Sequence, residues 1–203
     1  TYAFKSGTNF ITAWADTYTN AQTATTTDYN YGTGIYLLAS AVARGRVVNN
    51  FDNTIAIQSM SIYDGSPDQL LDKTYAFKSG TNFITAWADT YTAASVATTT
   101  DYNYGTGIYL LNSAVASGKV AVNFTSSTII RSINCYDGSP DQLLDRTYSV
   151  KSNVAFITGW VDTYAATDVT TTTDYNYGTG IYLLNSAVAC GKVASNFTSS
   201  AVI

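Results

Sequence analysis

The sequence repeats itself at one fixed interval, and this repeat restricts the possible folds more than any other feature. The step from Trp14 to Trp87 equals the step from Trp87 to Trp160, and residues 74–130 match residues 147–203 at 42 of 57 positions. A second segment, residues 58–73, matches residues 131–146 at 11 of 16 positions and occurs only twice. Tandem copies of one block predict similar modules that pack as an array.

Two divisions of the chain fit this repeat. Three modules of equal length, at residues 1–57, 74–130 and 147–203, could be joined by two linkers, or the unit could begin near Ser59 and Ser132. The cysteines favour the second division, because Cys135 and Cys190 then share one unit and could form a disulfide there. The alternative is two buried thiols. We therefore predict three tandem units at residues 1–58, 59–131 and 132–203, the first of which lacks its opening segment.

The composition predicts a mainly β fold. All 14 acidic residues are Asp, Tyr occurs 17 times, and Thr forms long runs. Thr, Tyr, Val and Ile prefer strands, whereas Glu, which is absent from the sequence, is typical of helix surfaces. Each unit is expected to be a small antiparallel sheet or sandwich-like module with one or two short helices.

Alternation of side chains predicts individual strands. Residues 82–91 (NFITAWADTY) place Phe83 and Trp87 on one face of a strand, and small apolar residues on the other. Residues 119–124 and 127–136 are also predicted to be strands.

Helical spacing predicts two short helices. Ile108, Leu111 and Val115 repeat at helical intervals, and Gly118 suits the position after a helix end. Residues 66–72 (SPDQLLD) fit one helical turn with a serine cap, a proline at the first position and a glutamine at the third.

One stretch, TTTDYNYGTGIYLL, recurs unchanged at residues 25–38, 98–111 and 171–184, while the residues just before it vary. We call this stretch the repeated segment. Its Asp, Asn and Gly residues predict a turn in which Asp28 and Asn30 bond nearby backbone N–H groups. Either a ligand or this turn could maintain the identity, and recent duplication could explain part of it.

The repeated segment also carries the chemistry of a sugar site. Tyr and Trp rings can stack on sugar faces while carboxylates and amides hold hydroxyl groups, and three copies would add avidity. The predicted ligand-binding residues are Trp14, Asp28, Tyr29, Asn30, Tyr31, Trp87, Asp101, Tyr102, Asn103, Tyr104, Trp160, Asp174, Tyr175, Asn176 and Tyr177. The alternative for the tryptophans is a place in the core.

The residue types argue against an enzyme. His is absent, so Ser-His-Asp and Cys-His sites and His-ligated zinc cannot be built. Asp89 with Asp101 could act as an acid–base pair, but three tandem active sites would be unexpected in so small a chain. The segment DYNYG matches the opening of a calcium loop but lacks the Glu that an EF-hand needs. We predict no catalytic residues, no metal and no cofactor.

Charge and sequons indicate the compartment and the partners. The ten Lys and Arg side chains form no cluster, which argues against nucleic acid, and no apolar run is long enough for membrane insertion. Low charge and glycosylation sequons at Asn123 and Asn196 favour a secreted protein. The predicted function is non-enzymatic, lectin-like carbohydrate binding. The alternative is a self-assembling extracellular structural protein whose partners are copies of itself, joined by stacking or strand exchange.

Overall fold

The structure is a computed structural model that describes residues 1–9, 18–87, 89–160 and 163–197. The strands of these residues form one antiparallel sheet, in which the order in space follows the order along the chain. The strands are β1 (Tyr2–Phe4), β2 (Thr23–Asn30), β3 (Ala39–Arg44), β4 (Ile57–Tyr63), β5 (Leu71–Phe77), β6 (Val96–Asn103), β7 (Asn112–Ser117), β8 (Ile130–Tyr136), β9 (Leu144–Val150), β10 (Val169–Asn176) and β11 (Asn185–Cys190). The predicted mainly β fold is confirmed.

The strands recur in step with the sequence repeat. Strand β10 begins at Val169, the equivalent of Val96 at the start of β6, and β8 begins at Ile130, the equivalent of Ile57 at the start of β4. Their registers recur as well, since Thr27 pairs with Val42 and the equivalent threonines of β6 and β10 pair with equivalent valines. Nearly identical sequences therefore adopt the same local pairing.

The chain divides into two compact units, Thr1–Ala97 and Thr98–Ile203. The predicted division into three units at residues 1–58, 59–131 and 132–203 stays a prediction. The sandwich-like modules are wrong, because the described strands belong to one sheet rather than two packed sheets.

The first unit buries the inner face of its strands under residues from long loops. Ala41, Met60 and Tyr75 lie side by side on β3, β4 and β5 and are almost fully buried. Phe51 and Phe83, from the loops that follow β3 and β5, pack on this face with their rings edge-to-face at 5.7 Å. Burial of each large side chain contributes about 1.5–3 kcal/mol, so these loops are part of the core.

The second unit repeats this arrangement. Ala114, Ile133 and Tyr148 lie side by side on β7, β8 and β9 and belong to one buried cluster. Phe124 and Phe156 come from the loops after β7 and β9, and their rings meet edge-to-face at 5.7 Å. A small alanine at the centre of the face leaves room for these aromatic rings.

The predicted helices are wrong, and the described residues contain no helix. The spacing of Ile108, Leu111 and Val115 is coincidental, because residues 112–117 form β7, in which alternate alanines are buried. Residues 66–70 lie in the turn between β4 and β5, and residues 71–72 begin β5. Gln69 in this turn adopts a left-handed φ of 51° that ends any helical turn. Among the described residues, none forms a helix that could cross a membrane.

Of the three predicted strands, one is confirmed. Residues 130–136 form β8, but residues 119–124 lie in an irregular loop. The described residues of the segment 82–91 lie in a loop as well, in which Trp87 has a left-handed φ of 52° and donates its backbone N–H to Ile84 O. A left-handed residue reverses the chain, so the expected common face of Phe83 and Trp87 is not that of a strand.

Candidate functional site

In each copy of the repeated segment, the second threonine forms hydrogen bonds with the loop that follows the next strand. Thr99 is fully buried on β6, where its Oγ1 donates to Gly118 O at 2.7 Å and accepts from the backbone N–H of Val120 at 3.0 Å. Thr26 and Thr172 make the same two bonds in their own copies. A buried hydroxyl with both of its roles filled is a structural group.

The aspartate of the repeated segment has a structural partner in the same loop. Asp28 Oδ2 accepts from the backbone N–H of Phe51 at 2.9 Å, and Asp101 and Asp174 accept from Phe124 and Phe197 in the same way. In the first two copies these bonds fix a loop whose phenylalanine, Phe51 or Phe124, enters the core. The aspartates were predicted to hold sugar hydroxyls, but their carboxylates face the loop.

The asparagine of the repeated segment forms the predicted Asx turn. The backbone N–H of Gly32 donates to Asn30 Oδ1 at 2.9 Å, and the equivalent bonds of Asn103 and Asn176 measure 3.0 and 2.9 Å. Gly32 has a φ of 57°, and a Cβ added to it would lie 2.9 Å from Leu38 Cδ1. The turn therefore requires glycine both for its backbone and for the leucine packed against it.

The repeated segment also carries tyrosines that are exposed to solvent. We call residues 31–38, 104–111 and 177–184 the hairpin ends; they connect β2 to β3, β6 to β7, and β10 to β11. Tyr36, Tyr109 and Tyr182 are 36, 38 and 80% exposed, and the isoleucine before each is also exposed. Sequence reasoning missed these three tyrosines because it placed the stretch after the glycines in a helix.

The predicted tyrosines fall into two groups. Tyr29 and Tyr31 are exposed, whereas Tyr102, Tyr104, Tyr175 and Tyr177 are half-buried. Tyr175 lies beside Thr147 on the outer face of the second unit, with 3.4 Å between their hydroxyl oxygens.

A row of polar side chains crosses this outer face. Asn134 Nδ2 donates to Ser113 Oγ at 3.0 Å, and Thr147 Oγ1 donates to Asn134 Oδ1 at 2.9 Å. Tyr102 pairs with Ser113 across β6 and β7, so tyrosines lie at both ends of the row. These hydroxyl and amide groups form a polar strip between the two tyrosines, in which Asn134 and Thr147 are half-buried and Ser113 is almost fully buried.

The two described tryptophans pack on phenylalanines of the core and do not belong to the hairpin ends. Trp87 and Trp160 are half-buried and pack edge-to-face on Phe83 and Phe156, with ring centroids 4.8 Å apart in both cases. Trp14 lies outside the described residues. The structure therefore does not bring the two described tryptophans together with the tyrosines as a ligand site.

A buried arginine lies behind the third copy of the repeated segment. Arg146 Nη1 donates to Ala194 O at 3.0 Å, and Nη2 donates to Asn196 Oδ1 at 3.1 Å. Asp174 lies directly opposite on β10, with its Oδ1 4.0 Å from Nη2. Burial lowers the pKa of Arg146, but its interactions with Tyr148 and the nearby aspartates outweigh burial and raise it.

The remaining candidates are dispersed. Asp89 Oδ2 accepts from the hydroxyl of Tyr75 at 2.9 Å, while Asp101 binds the loop of its own unit. Within the described ranges, no three His, Cys, Asp or Glu side chains gather where they could hold a metal ion.

The two cysteines lie on strands of the sheet, and the two sequon asparagines lie in loops. Cys135 on β8 and Cys190 on β11 are free thiols with two strands between them in the sheet, so the disulfide that they could have formed is absent and the alternative of free thiols holds. Asn123 and Asn196 are exposed, although Asn196 also accepts the bond from Arg146.

A cavity lies at the opposite end of the first unit from its hairpin end. It is lined by the first residues of β2 and the last of β3, and Lys5, Arg44 and Arg46 contribute to its wall. None of the predicted ligand-binding residues lines it. This cavity and the hairpin end are thus separate features of the unit.

The fold and these surfaces define a class of protein: an antiparallel β protein that presents the same tyrosine-bearing hairpin end three times. No protein-family model, curated protein or solved structure matches the chain.

Proposed function

We propose that the protein is a secreted, non-enzymatic and multivalent carbohydrate-binding protein whose hairpin ends contact the sugar. The observation that carries this proposal is the exposure of Tyr36, Tyr109 and Tyr182 in all three copies. The threonine, aspartate and asparagine of the repeated segment are engaged in the fold, so their identity has a structural reason. The exposed tyrosines have no comparable role in the core.

Tyrosine suits a sugar ligand on a surface without a deep cleft. Its ring offers a flat apolar face to the C–H groups of a pyranose, and its hydroxyl can bond a sugar hydroxyl. In the second unit, the hairpin ends at residues 104–111 and 177–184 are four strands apart, or about 19 Å at normal strand spacing. Weak sites at fixed spacing gain avidity on a repetitive glycan.

The polar strip of the second unit extends this surface. Ser113, Asn134 and Thr147 lie between Tyr102 and Tyr175 on the outer face. Asn134 and Thr147 are half-buried and can each take part in a further hydrogen bond while keeping the bonds within the row, whereas Ser113 is buried and only holds Asn134 in place. We assign the strip to the sugar hydroxyls, in place of the aspartates.

The experiment is a glycan array probed with the wild-type protein and with the triple variant Tyr36→Ala, Tyr109→Ala, Tyr182→Ala. Removal of the exposed rings should lower binding by about tenfold or more, because each copy loses one aromatic contact. Circular dichroism should show that the triple variant remains folded, because Tyr182 is largely exposed and the other two rings lie partly at the surface.

A matched control removes apolar surface elsewhere. Val48 and Val122 are both well exposed in loops outside the hairpin ends. The double variant Val48→Ala, Val122→Ala should bind glycans like the wild type. Absence of glycan binding by the wild type, or equal binding by the tyrosine variant, would refute the proposal.

A further inference from the structure

Strands β3, β7 and β11 are equivalent in the sequence repeat, but they have different neighbours in the sheet. Strands β3 and β7 lie between two strands each, with β4 and β8 on their outer sides in equivalent registers. Among the described residues, β11 pairs only with β10. Its sequence, NSAVAC, differs from that of β7 only in the last residue. The outer edge of β11 therefore offers the backbone groups that β7 uses to bind β8.

The strand-and-turn segment beside β3 also binds the adjacent hairpin end. The backbone N–H of Tyr63 donates to Leu38 O at 3.0 Å, and the backbone N–H of Leu37 donates to Gln69 Oε1 at 3.1 Å. The second unit repeats both bonds with Tyr136 and Gln142 as partners of its hairpin end, at 2.9 and 3.3 Å.

Packing accompanies these bonds. Gly65, at a φ of 73°, lies against Leu38, so a Cβ added there would be 3.2 Å from Leu38 Cδ2. Gly138 lies against Leu111 in the same way, at 3.0 Å. The sequence Asp-Gly-Ser-Pro-Asp-Gln after β4 and β8 thus fits the hairpin end through its glycine and its glutamine.

The exposed fractions of equivalent leucines show which residues the strand-and-turn segment covers. Leu37 and Leu110 are 9 and 8% exposed, whereas the equivalent Leu183 is 50% exposed. Leu184 and Val188 are also exposed at the third copy, next to the open edge. The isoleucines Ile35, Ile108 and Ile181 are exposed in every copy, so the segment does not cover that position.

We propose that the outer edge of β11, together with Leu183 and Leu184, binds one extended, otherwise unpaired polypeptide segment that carries the sequence pattern of β4 and its following turn. The register of β3 and β4 defines the occupant: apolar residues face Ala187 and Ala189, and the Asp-Gly-Ser-Pro-Asp-Gln turn seals the hairpin end. This is binding by strand addition.

The inference goes beyond carbohydrate binding, and it gives the alternative of strand exchange between repeats a defined acceptor.

The test uses a labelled synthetic peptide of residues 54–70 (TIAIQSMSIYDGSPDQL), which contains no cysteine. Fluorescence anisotropy should show saturable binding to the whole protein, and the amides of β11 should exchange more slowly in the complex. A peptide with Gly65→Val should bind at least about tenfold more weakly, because the added side chain meets the leucine and disfavours the turn.

Protein variants locate the site. Leu183→Asp should weaken peptide binding by about tenfold or more, since it removes an apolar contact that is buried in the other copies. Ile181→Asp is the matched control and should change the affinity by less than about twofold. Circular dichroism in the near ultraviolet should show that both variants are folded.

Two results would overturn the inference. One is a lack of saturable binding at peptide concentrations up to about 1 mM, which is the limit of weak specific affinity. The other is equal binding to the wild type and to Leu183→Asp, which would place the peptide elsewhere on the protein.

Discussion

Asp101 and Phe124 are joined by a hydrogen bond of 2.9 Å between the Asp101 carboxylate and the backbone N–H of Phe124. Asp101 is buried on β6, and the side chain of Phe124 is buried in the core of the same unit. One bond thus connects the repeated segment to the loop that closes the inner face. The same bond in the other two copies gives the identical aspartates a structural reason.

The first prediction concerns this bond. Asp101→Ala should lower the free energy of unfolding by about 1–3 kcal/mol, because the buried N–H of Phe124 is left without its acceptor. Chemical denaturation measures the effect, and the exposed Asp141→Ala is the control, which should stay within about 0.5 kcal/mol of the wild type. Equal stability of the two variants would show that the bond does not hold the loop.

The second prediction concerns the buried arginine. Arg146→Met should destabilise the protein by about 3 kcal/mol, because Asp174 loses its cationic neighbour and the carbonyl of Ala194 loses a donor. The exposed Arg131→Met removes the same charge from β8 without these partners. Calorimetry should therefore show a clear fall in melting temperature for Arg146→Met alone. Similar melting temperatures for the two variants would contradict this role.

The third prediction concerns pH. Burial raises the pKa of Asp64, but the bonds donated by Ser66 and Leu70 to its carboxylate outweigh burial and hold the pKa below 3.8. A lowered pKa in the folded state contributes stability above the unfolded value, and this stability is lost as pH falls through the folded value. The contribution is small because the carboxylate lies at the surface.

Asp64→Asn tests this pH dependence. The free energy of unfolding of the wild type should fall more steeply than that of the variant as pH drops below about 4. Asp68→Asn, an exposed position in the same turn, should follow the wild type. If Asp64→Asn also follows the wild type, the carboxylate of Asp64 does not stabilise the turn.

The fold class was predictable because composition acts on every strand. Threonine, tyrosine and valine make up most of β2, β6 and β10, where β-branched and aromatic side chains suit a pleated sheet. The sequence repeat predicted that equivalent strands would recur, and they do. The strand at 130–136 follows from the same reasoning.

The errors have local physical causes. Residues 112–117 contain small side chains, so helical and strand patterns differ little there, and packing of the alanines under Phe124 and Phe156 decides the outcome. In the segment 82–91, aromatic alternation is typical of a strand. Trp87 instead reverses the chain, since its ring packs on Phe83 within a loop.

The candidate site was predicted in part. The repeated segment was identified from its identity alone, and the turn at Asn30 follows from a local Asx pattern. The bond between Asp28 and Phe51 links residues from separate parts of the chain, and a single sequence gives no signal of such a pair. For this reason the aspartates were assigned to a ligand, and the exposed Tyr36 was not among the predicted binding residues.

Hydrogen exchange measured by NMR tests most directly the central claim that the polar residues of the repeated segment hold the following loop. Val120 and Phe124 donate their amides to Thr99 and Asp101, although neither residue belongs to a strand. Both amides should exchange as slowly as those of β7, while the amide of exposed Val122 between them exchanges fast. Fast exchange at Val120 and Phe124 would contradict the account.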